Sequence, residues 1–313
     1  MMLSLLKSLL RSAAILFLVS FAAFCLMFGN GTGTARAILG YQATEADVQR
    51  KVVDLGLDRP LLVQFGDWLV HAVTGNLGES FFTGQTVTSA LSTRVPVTLT
   101  LIILTLIFTL ILSVLLGVAA AVYGGWLDKV LQFISVLGAA VPPFIIAIAL
   151  VFTFAISVRM FPATGYVSPD RSFTGWILSI TLPVVALLIG SVASAASQFR
   201  GAVLDALSKD FVRTLRARGL KESHVVFRHV LRNAGGPGLT VLSLQTLGLL
   251  GGAIFVEQVM ALPGMGQMTV QSAQQADVPM VMGSVVVTII IVLCVNFLGD
   301  LANSVLNPKA RTR

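Results

Sequence analysis

Long runs of apolar residues, separated by short polar segments, make up most of this chain. A run of about 20 apolar residues is long enough to cross the hydrocarbon core of a bilayer as a helix. Six stretches approach or exceed this length, namely Ser12–Phe28, Val97–Tyr123, Leu131–Val158, Trp176–Phe199, Gly238–Val256 and Val281–Leu306. The pattern therefore predicts an all-α polytopic membrane protein with six transmembrane helices.

A polar segment, residues 31–95, follows the first apolar run. Its first residues, together with Asn30, form a Gly-rich stretch that predicts a flexible exit from the membrane. Thr44 and Asp47 have the spacing of a capping box and predict a helix directly after them. Pro60 suits the first position of a second helix, which should stop at Gly75 and present one apolar face. That face consists of Phe65, Trp68, Leu69 and Ala72. We expect a small insert outside the membrane.

Two features inside the apolar runs predict local geometry. Pro142 and Pro143 remove two backbone donors from the third run, so the helix should kink or break there and could shape a cavity. Small residues recur at close spacing in the fourth and fifth runs, at Gly190, Ala193, Ser194, Ser197, Gly248, Gly251 and Gly252. Such residues let helices approach closely, so we expect contacts between helices or between subunits there.

The net charge of +7 is distributed as in a membrane protein rather than a nucleic-acid-binding protein. One set of polar segments holds most of the basic residues, namely Lys7, Arg11, Lys129, eight residues between Arg200 and Pro237, and Lys309, Arg311 and Arg313. The short segments of the opposite set hold only Arg159 and Arg171. The positive-inside rule therefore predicts that both termini lie in the cytoplasm. Cys25 and Cys294 lie within apolar runs and imply neither a disulfide nor a metal site.

The stretch Arg200–Pro237 is too basic to cross a bilayer and has a helical pattern of its own. Residues 210–217 place Phe211 and Leu215 on one helical face. Gly219 should end this helix in a left-handed conformation, and a second helical pattern begins at Glu222. The sequence therefore predicts a helix–glycine–helix elbow. A plain basic cytoplasmic loop is the alternative.

Within this stretch, DFVRTLRARGL followed by FRHVLRNA resembles the cytoplasmic EAA loop of permease subunits in bacterial ABC importers. Only the glycine and one leucine fit the general pattern of the EAA loop. The likeness is to the form of this loop that the dipeptide/oligopeptide/nickel family uses. Aligned on Gly219, Arg213, Thr214 and Leu215 take the Glu-Ala-Ala positions. Leu215 stands where alanine is usual, a departure that would alter helix packing.

Two further segments are similar to the same family. LGLDRPLLVQFGDWL, GNLGESFFTGQTV and RVPVTLTL resemble the insert after the first helix of its larger permease. FVEQVMALPGMGQMTV and DVPMVMGSVV resemble a stretch before its last helix, in which residues 262–266 form a turn. By this analogy the second segment dips back at the mouth of the translocation path, where Glu257 and Asp277 would meet a peptide amine. Pro142 and Pro143 are further candidates for the path.

The resemblance implies a type I ABC importer permease fold in the bacterial inner (cytoplasmic) membrane. The implied partners are a second homologous permease, two ATPase domains that carry ATP and Mg²⁺, an extracytoplasmic binding protein and a peptide substrate. The coupling residues it implies are Asp210, Phe211, Arg213, Thr214, Leu215, Arg216, Ala217, Arg218, Gly219 and Leu220. Among them, Phe211, Leu215 and Leu220 would be apolar knobs toward the ATPase, and the arginines would pair with its acidic rim. The implied domains are an N-terminal helix (1–30), the insert (31–95), a five-helix core (96–306) and a basic tail (307–313).

The residues that catalysis or ion coupling would need are missing from the chain. No phosphate-binding loop and no HExxH motif is present, so we expect no ATP site, no metal site and no enzyme activity. His224 and His229 are five residues apart, which is the wrong spacing for a shared face of an α-helix. A self-contained secondary carrier is the main alternative, although such carriers generally need ionisable groups inside the membrane, and spans two to five essentially lack them. An intramembrane enzyme or a scaffold is a third possibility without a supporting site.

Overall fold

The computed structural model describes residues 2–27, 31–40 and 42–306. Over these residues the chain is helical, and the one β-contact is an isolated bridge between Glu79 and Thr86. The chain divides into two compact units. The first comprises Met1–Thr98 with Pro263–Leu293, and the second comprises Leu99–Leu262 with Cys294–Arg313. The predicted basic tail 307–313 and Asn30 lie outside the described residues.

The first unit begins with the apolar helix α1 and continues as a series of short helices. The helices are α1 (Met2–Met27), α2 (Gly31–Leu39), α3 (Glu45–Asp54), α4 (Leu61–Val73), the start of α5 (Val87–Tyr123), α12 (Met265–Gln275) and the start of α13 (Val278–Leu306). The flexible exit predicted at residues 31–33 is wrong, because these residues form the first turn of α2. That helix is anchored in its own unit by Thr34 Oγ1, which donates a hydrogen bond to Ala276 O.

The cap predicted at Thr44 and the apolar face predicted for the second helix of the insert are confirmed. Thr44 Oγ1 accepts a hydrogen bond from Asp47 N at 3.3 Å, and α3 begins directly after this cap. Pro60 lies one position earlier than expected, as the N-cap of α4. Phe65 is buried against Phe24 and Met282, and its ring meets Phe21 edge to face. The apolar face of α4 therefore anchors the insert to the first apolar helix.

The second unit is a bundle of longer helices. It holds the rest of α5, α6 (Gly125–Ala140), α7 (Pro143–Leu150), α8 (Phe173–Leu207), α9 (Asp210–Ala217), α10 (Glu222–His224), α11 (Leu231–Val259) and the end of α13. Two π-helical segments, Val151–Ser157 and Val225–Val230, continue α7 and α10. The helices α5 and α8 are longer than the predicted spans, and α5 continues through Pro96, the residue directly before the predicted span.

The predicted break at the two prolines is sharp. The axes of α6 and of the helix from Pro143 to Ser157 meet at 95°. Val141 and Pro142 both have extended backbones, with ψ of 121° and 142°. Each of them precedes a proline, whose ring disfavours the helical conformation of the residue before it. Two consecutive non-helical residues turn the chain, and Pro143 then starts α7.

Among the described residues, four helices are long and apolar enough to cross a membrane, and a fifth arises if the bent pair is one span. The four are Leu10–Met27, Val87–Tyr123, Phe173–Leu207 and Val278–Gly299. The predicted fifth run falls on α11, of which the apolar part Leu244–Val259 is shorter. The turn predicted over residues 262–266 is also shorter, because α12 already begins at Met265.

The small residues divide into packed and open positions. An added Cβ at Gly138 would come 2.8 Å from Ala193 Cβ, and one at Gly190 would come 3.2 Å from Gly138 O. The helices α6 and α8 therefore cross in close contact here. Gly252 similarly faces Pro143, whereas Gly248 and Gly251 face open space. The expected close contacts are thus present at Gly190, Ala193 and Gly252.

We expect Gly138→Ala to destabilise the second unit, because both Cβ atoms at this crossing are fixed to the backbone and cannot rotate away. Overpacking of this kind costs about 1–3 kcal/mol. The thermal midpoint of the detergent-purified chain should fall, and the double variant Gly138→Ala/Ala193→Gly should recover it. Gly248→Ala is the matched control, since its Cβ meets nothing within 4 Å. An unchanged midpoint for Gly138→Ala would contradict the close crossing.

Candidate functional site

The predicted elbow is present, and local hydrogen bonds define it. The helix α9 ends at Ala217, and Gly219 has a φ of 78°, the left-handed conformation expected for it. Gly219 N donates to Arg216 O at 2.9 Å, and Leu220 N donates to Leu215 O at 3.3 Å. This pair of hydrogen bonds is the Schellman motif, in which an apolar contact between the positions held here by Leu215 and Leu220 is common. The sequence therefore sets a sharp, fully bonded end to α9.

The apolar face of α9 packs against this chain's own core. Val212 is completely buried, in one cluster with Val203 and Val226. Phe211, Leu215 and Leu220 are partly buried against the same cluster. These three side chains therefore attach the elbow to its own bundle, while their interpretation as knobs toward an ATPase stays a prediction. Sequence reasoning missed Val212, although its spacing of three from Leu215 marks the same face.

The other face of α9 is polar, exposed and predominantly basic. The exposed residues of the predicted coupling set are Asp210, Arg213, Thr214, Arg216, Ala217, Arg218 and Gly219. Arg213 Nη1 lies 3.9 Å from Asp210 Oδ1, and both side chains are largely exposed. Such a pair contributes little to stability. The positive charge of this face is thus open to a partner surface.

An ion pair closes the elbow across Gly219. Arg216 Nε and Nη2 donate to the two carboxylate oxygens of Glu222 at 3.0 and 2.5 Å. These bonds hold the pKa of Glu222 below its ordinary value. A lowered pKa stabilises the folded form above the unfolded-state pKa, about 4.3 for Glu, and this contribution is lost as the pH falls through the folded-state pKa. The pair is therefore fully charged at neutral pH, but it is about half exposed and adds little stability.

A second ion pair braces the helices beside the elbow. Arg200 of α8 makes a two-pronged contact with the carboxylate of Asp128 in α6, with Nη2 2.5 Å from Oδ2. Both side chains are mostly buried, which strengthens the interaction relative to an exposed pair. The sequence offered no signal for this contact, because the two residues are 72 positions apart.

The segment after the elbow departs from the expected α-helix. Val225, Val226 and Val230 are buried as predicted, but they belong to a π-helical segment. The rings of His224 and His229 lie with their centroids 5.7 Å apart. The prediction that their spacing keeps them on separate faces is therefore wrong, because it assumed 3.6 residues per turn.

The residues predicted to lie on the translocation path differ in how deeply they are buried. Pro143 packs against Gly252 of α11, and Phe144 lies near Phe255, with ring centroids 5.9 Å apart. Pro142, in contrast, is exposed at the break. Glu257 is completely buried in α11 of the second unit. The broken helix is thus held against α11, and Glu257 would need a change of conformation to meet a substrate.

Asp277 belongs to the first unit and is only 2% exposed. Its carboxylate accepts hydrogen bonds from Ser80 Oγ at 2.5 Å and from Phe81 N at 3.2 Å. Ser80 Oγ in turn accepts from Phe82 N and Thr83 N. Asp277 therefore anchors the loop that precedes α5, a role that sequence reasoning missed because the partners are 197 residues apart.

Comparisons with known proteins agree with this architecture. Residues 113–312 match the family model "Binding-protein-dependent transport system inner membrane component", and residues 1–102 match the model of its N-terminal part. A probable peptide ABC transporter permease, y4tP of Sinorhizobium fredii, is 35% identical over 98% of both chains. The oligopeptide transport system permease AppB of Bacillus subtilis is 29% identical over 96% of both.

A solved structure is similar in fold. An inward-facing conformation of the MetNI methionine ABC transporter matches with a TM-score of 0.54 and 18% identity. The match covers 70% of this chain and 97% of that one. The predictions of a multi-pass inner membrane protein and of a permease that is not itself an enzyme are confirmed by the family and by its relatives. The chain belongs to the inner membrane components of binding-protein-dependent transport systems, as the permease component of an ABC importer.

Proposed function

We propose that this permease forms half of the translocation path of an ATP-driven importer for di- and oligopeptides, and that the elbow of residues 200–237 receives the motion of a separate ATPase. The observation that carries the proposal is the two-sided character of α9. Its apolar side is fixed in the core of its own unit, and its basic side is exposed. A short helix built this way moves as one body with the bundle when a partner pushes on it.

The contacts around the elbow support rigid transmission. The Schellman motif, the Arg216–Glu222 pair and the buried Val212 fix α9 relative to the residues after it. The Arg200–Asp128 pair ties the end of α8 to α6. Since α8 leads into the elbow and α11 leads away from it, a displacement of α9 is passed to two long helices. The exposed Arg213 and Arg218 orient the ATPase through its acidic groups, whereas Arg216 is already paired with Glu222.

The complete importer, in this proposal, contains a second homologous permease and two ATPase domains that bind ATP and Mg²⁺. The six predicted spans and the basic segments Arg200–Pro237 and 307–313 give a chain with both termini in the cytoplasm. The insert of residues 31–95 then lies outside, where a binding protein delivers substrate. Relatives named as peptide and oligopeptide permeases support a peptide substrate. Pro142, Pro143, Glu257 and Asp277 remain candidates for the path.

We expect Arg213→Ala/Arg218→Ala to lower ATP-dependent peptide uptake by the co-expressed complex about tenfold, equivalent to about 1.4 kcal/mol of lost association free energy. The ATPase should also co-purify less well. Arg50→Ala/Arg171→Ala is the matched control, since it removes two exposed arginines from the predicted outside segments. Membrane levels of both variants should equal wild type. Unchanged uptake and ATPase recovery in the first variant would contradict the proposal, as would gradient-driven uptake by the permease alone.

A further inference from the structure

The π-helical segment Val225–Val230 brings two histidines together. In an α-helix, residues five apart point about 140° away from each other around the axis. A π turn bonds residue i to residue i+5 and so places such residues one above the other. The imidazole rings of His224 and His229 accordingly lie 5.7 Å apart between centroids, at an interplanar angle of 60°.

The two imidazole rings lie at the surface, next to buried apolar side chains of the same segment. His224 is exposed and His229 is half-buried. Between them, Val225 and Val226 are buried in the same cluster that anchors α9, and so is the next residue, Val230. The backbone of His229 is further engaged by Asn233 Nδ2, which donates to its carbonyl oxygen at 3.0 Å. The ring positions are therefore set by packing below them, while at least one ring is open to solvent above.

We propose that His224 and His229 form a two-histidine binding site for a divalent transition-metal ion. Imidazole nitrogen suits Cu²⁺, Ni²⁺ and Zn²⁺, with Cu²⁺ bound most tightly in the general order of affinities. Among the described residues no group of three metal-ligating side chains occurs, so water or a partner's group completes the coordination. Glu222 is paired with Arg216, so it is not a free third ligand.

A bound ion would stabilise the π turn. If the segment changed to an α-helical turn, the two rings would move to different sides of the helix and the chelate would be lost. An ion that binds one form only shifts the equilibrium toward that form. The segment joins the elbow to α11, so the ion would fix the connection through which α9 moves the bundle. This consequence for transport rests on the proposed function, whereas the site itself does not.

The test of the site is a Cu²⁺ titration of the full-length chain, purified in detergent through a tag without histidine and followed by electron paramagnetic resonance. The wild-type spectrum should show two nitrogen ligands. His224→Gln and His229→Gln should each weaken binding about tenfold or more, since loss of even an outer-shell partner has that effect. His71→Gln is the matched control, because the chain has only three histidines and His71 lies in α4. Equal binding by wild type and by the double glutamine variant would overturn the site.

The test of its consequence is ATP-dependent uptake by the co-expressed complex with and without Zn²⁺. Zn²⁺ should change the uptake of wild type and of His71→Gln, but not that of His224→Gln. If Zn²⁺ acts equally on all three, the proposed fixing of the π turn is contradicted. A complex that shows no uptake in the absence of metal contradicts the proposed function instead, so the two failures are distinguishable.

Discussion

Replacing Gly219 by proline is expected to abolish ATP-driven uptake while the chain still inserts into the membrane. Gly219 has a φ of 78°, and a proline ring fixes φ near −65°, so the elbow cannot keep its turn. Proline also removes the N–H that bonds to Arg216 O and disfavours the conformation of Arg218 before it, which has a ψ of 2°. Together these effects cost about 3 kcal/mol or more of local stability. The direction of α9 relative to the bundle changes as a result.

A graded series at Gly219 separates backbone conformation from side-chain size. An added Cβ at this position meets nothing within 4 Å, so a loss of function cannot come from a clash. Asparagine tolerates the left-handed region and should retain most uptake, whereas alanine should cost about 1 kcal/mol and give an intermediate rate. The measurements are uptake, recovery of the ATPase and membrane level.

Gly201→Ala is the control for this series, because Gly201 lies inside α8 with open space and no positive φ. It should behave as wild type in all three measurements. Wild-type uptake by Gly219→Pro would show that the direction of α9 is unimportant for transport, and the elbow would then be no more than a basic loop. Uptake that falls equally for asparagine and proline would point to the glycine itself rather than to its conformation.

Asp277→Ala should destabilise the first unit by about 3 kcal/mol, because hydrogen bonds to a charged group contribute about 1.5–3 kcal/mol each and two donors lose their acceptor. Those donors are Ser80 Oγ and Phe81 N, and Ser80 itself is buried. Asn at this position keeps one acceptor oxygen and should lie between wild type and alanine. The loop of residues 76–86 should become more accessible to protease as the loss of stability increases.

The measurement is the thermal midpoint of the purified chain together with the rate of limited proteolysis in that loop. Asp67→Ala is the matched control, since Asp67 is paired with Arg59 at an exposed site and should cost at most about 1 kcal/mol. A double-mutant cycle with Ser80→Ala should show strong coupling to Asp277. Additive effects of the two substitutions, or equal effects at Asp67 and Asp277, would contradict the buried anchor. A loss of uptake without any loss of stability would instead favour a role of Asp277 in the path.

Local features of the chain were predictable from the sequence because a few neighbouring residues decide them. The cap at Thr44 depends on a hydrogen bond within one turn, and the left-handed Gly219 and the break before Pro143 depend on local backbone sterics. The apolar face of α4 follows from helical spacing alone. The same holds for the basic and apolar sides of α9, although periodicity could not tell which partner the apolar side would meet.

The π-helical segment shows where periodicity fails. A spacing of 3.6 residues per turn between Glu222 and Asn233 predicts that His224 and His229 lie on different sides of the helix. In the structure, Val225, Val226 and Val230 are all buried in the cluster around α9. The turn contains one residue more than an α-helical turn, and this geometry accompanies the burial of the three valines. Only the packed bundle selects that geometry, since a π turn has no strong sequence signature.

The helical membrane class, the family and the position of the elbow follow from the sequence, because apolar run length, turn residues and motif spacing are properties of contiguous segments. Only the packed helices define the core that the apolar face of α9 meets, the Arg200–Asp128 brace and the enclosure of Asp277 by Ser80 and Phe81. These contacts join residues far apart in the chain. Their energies depend on burial and on exact donor–acceptor geometry, and neither exists until the helices have packed.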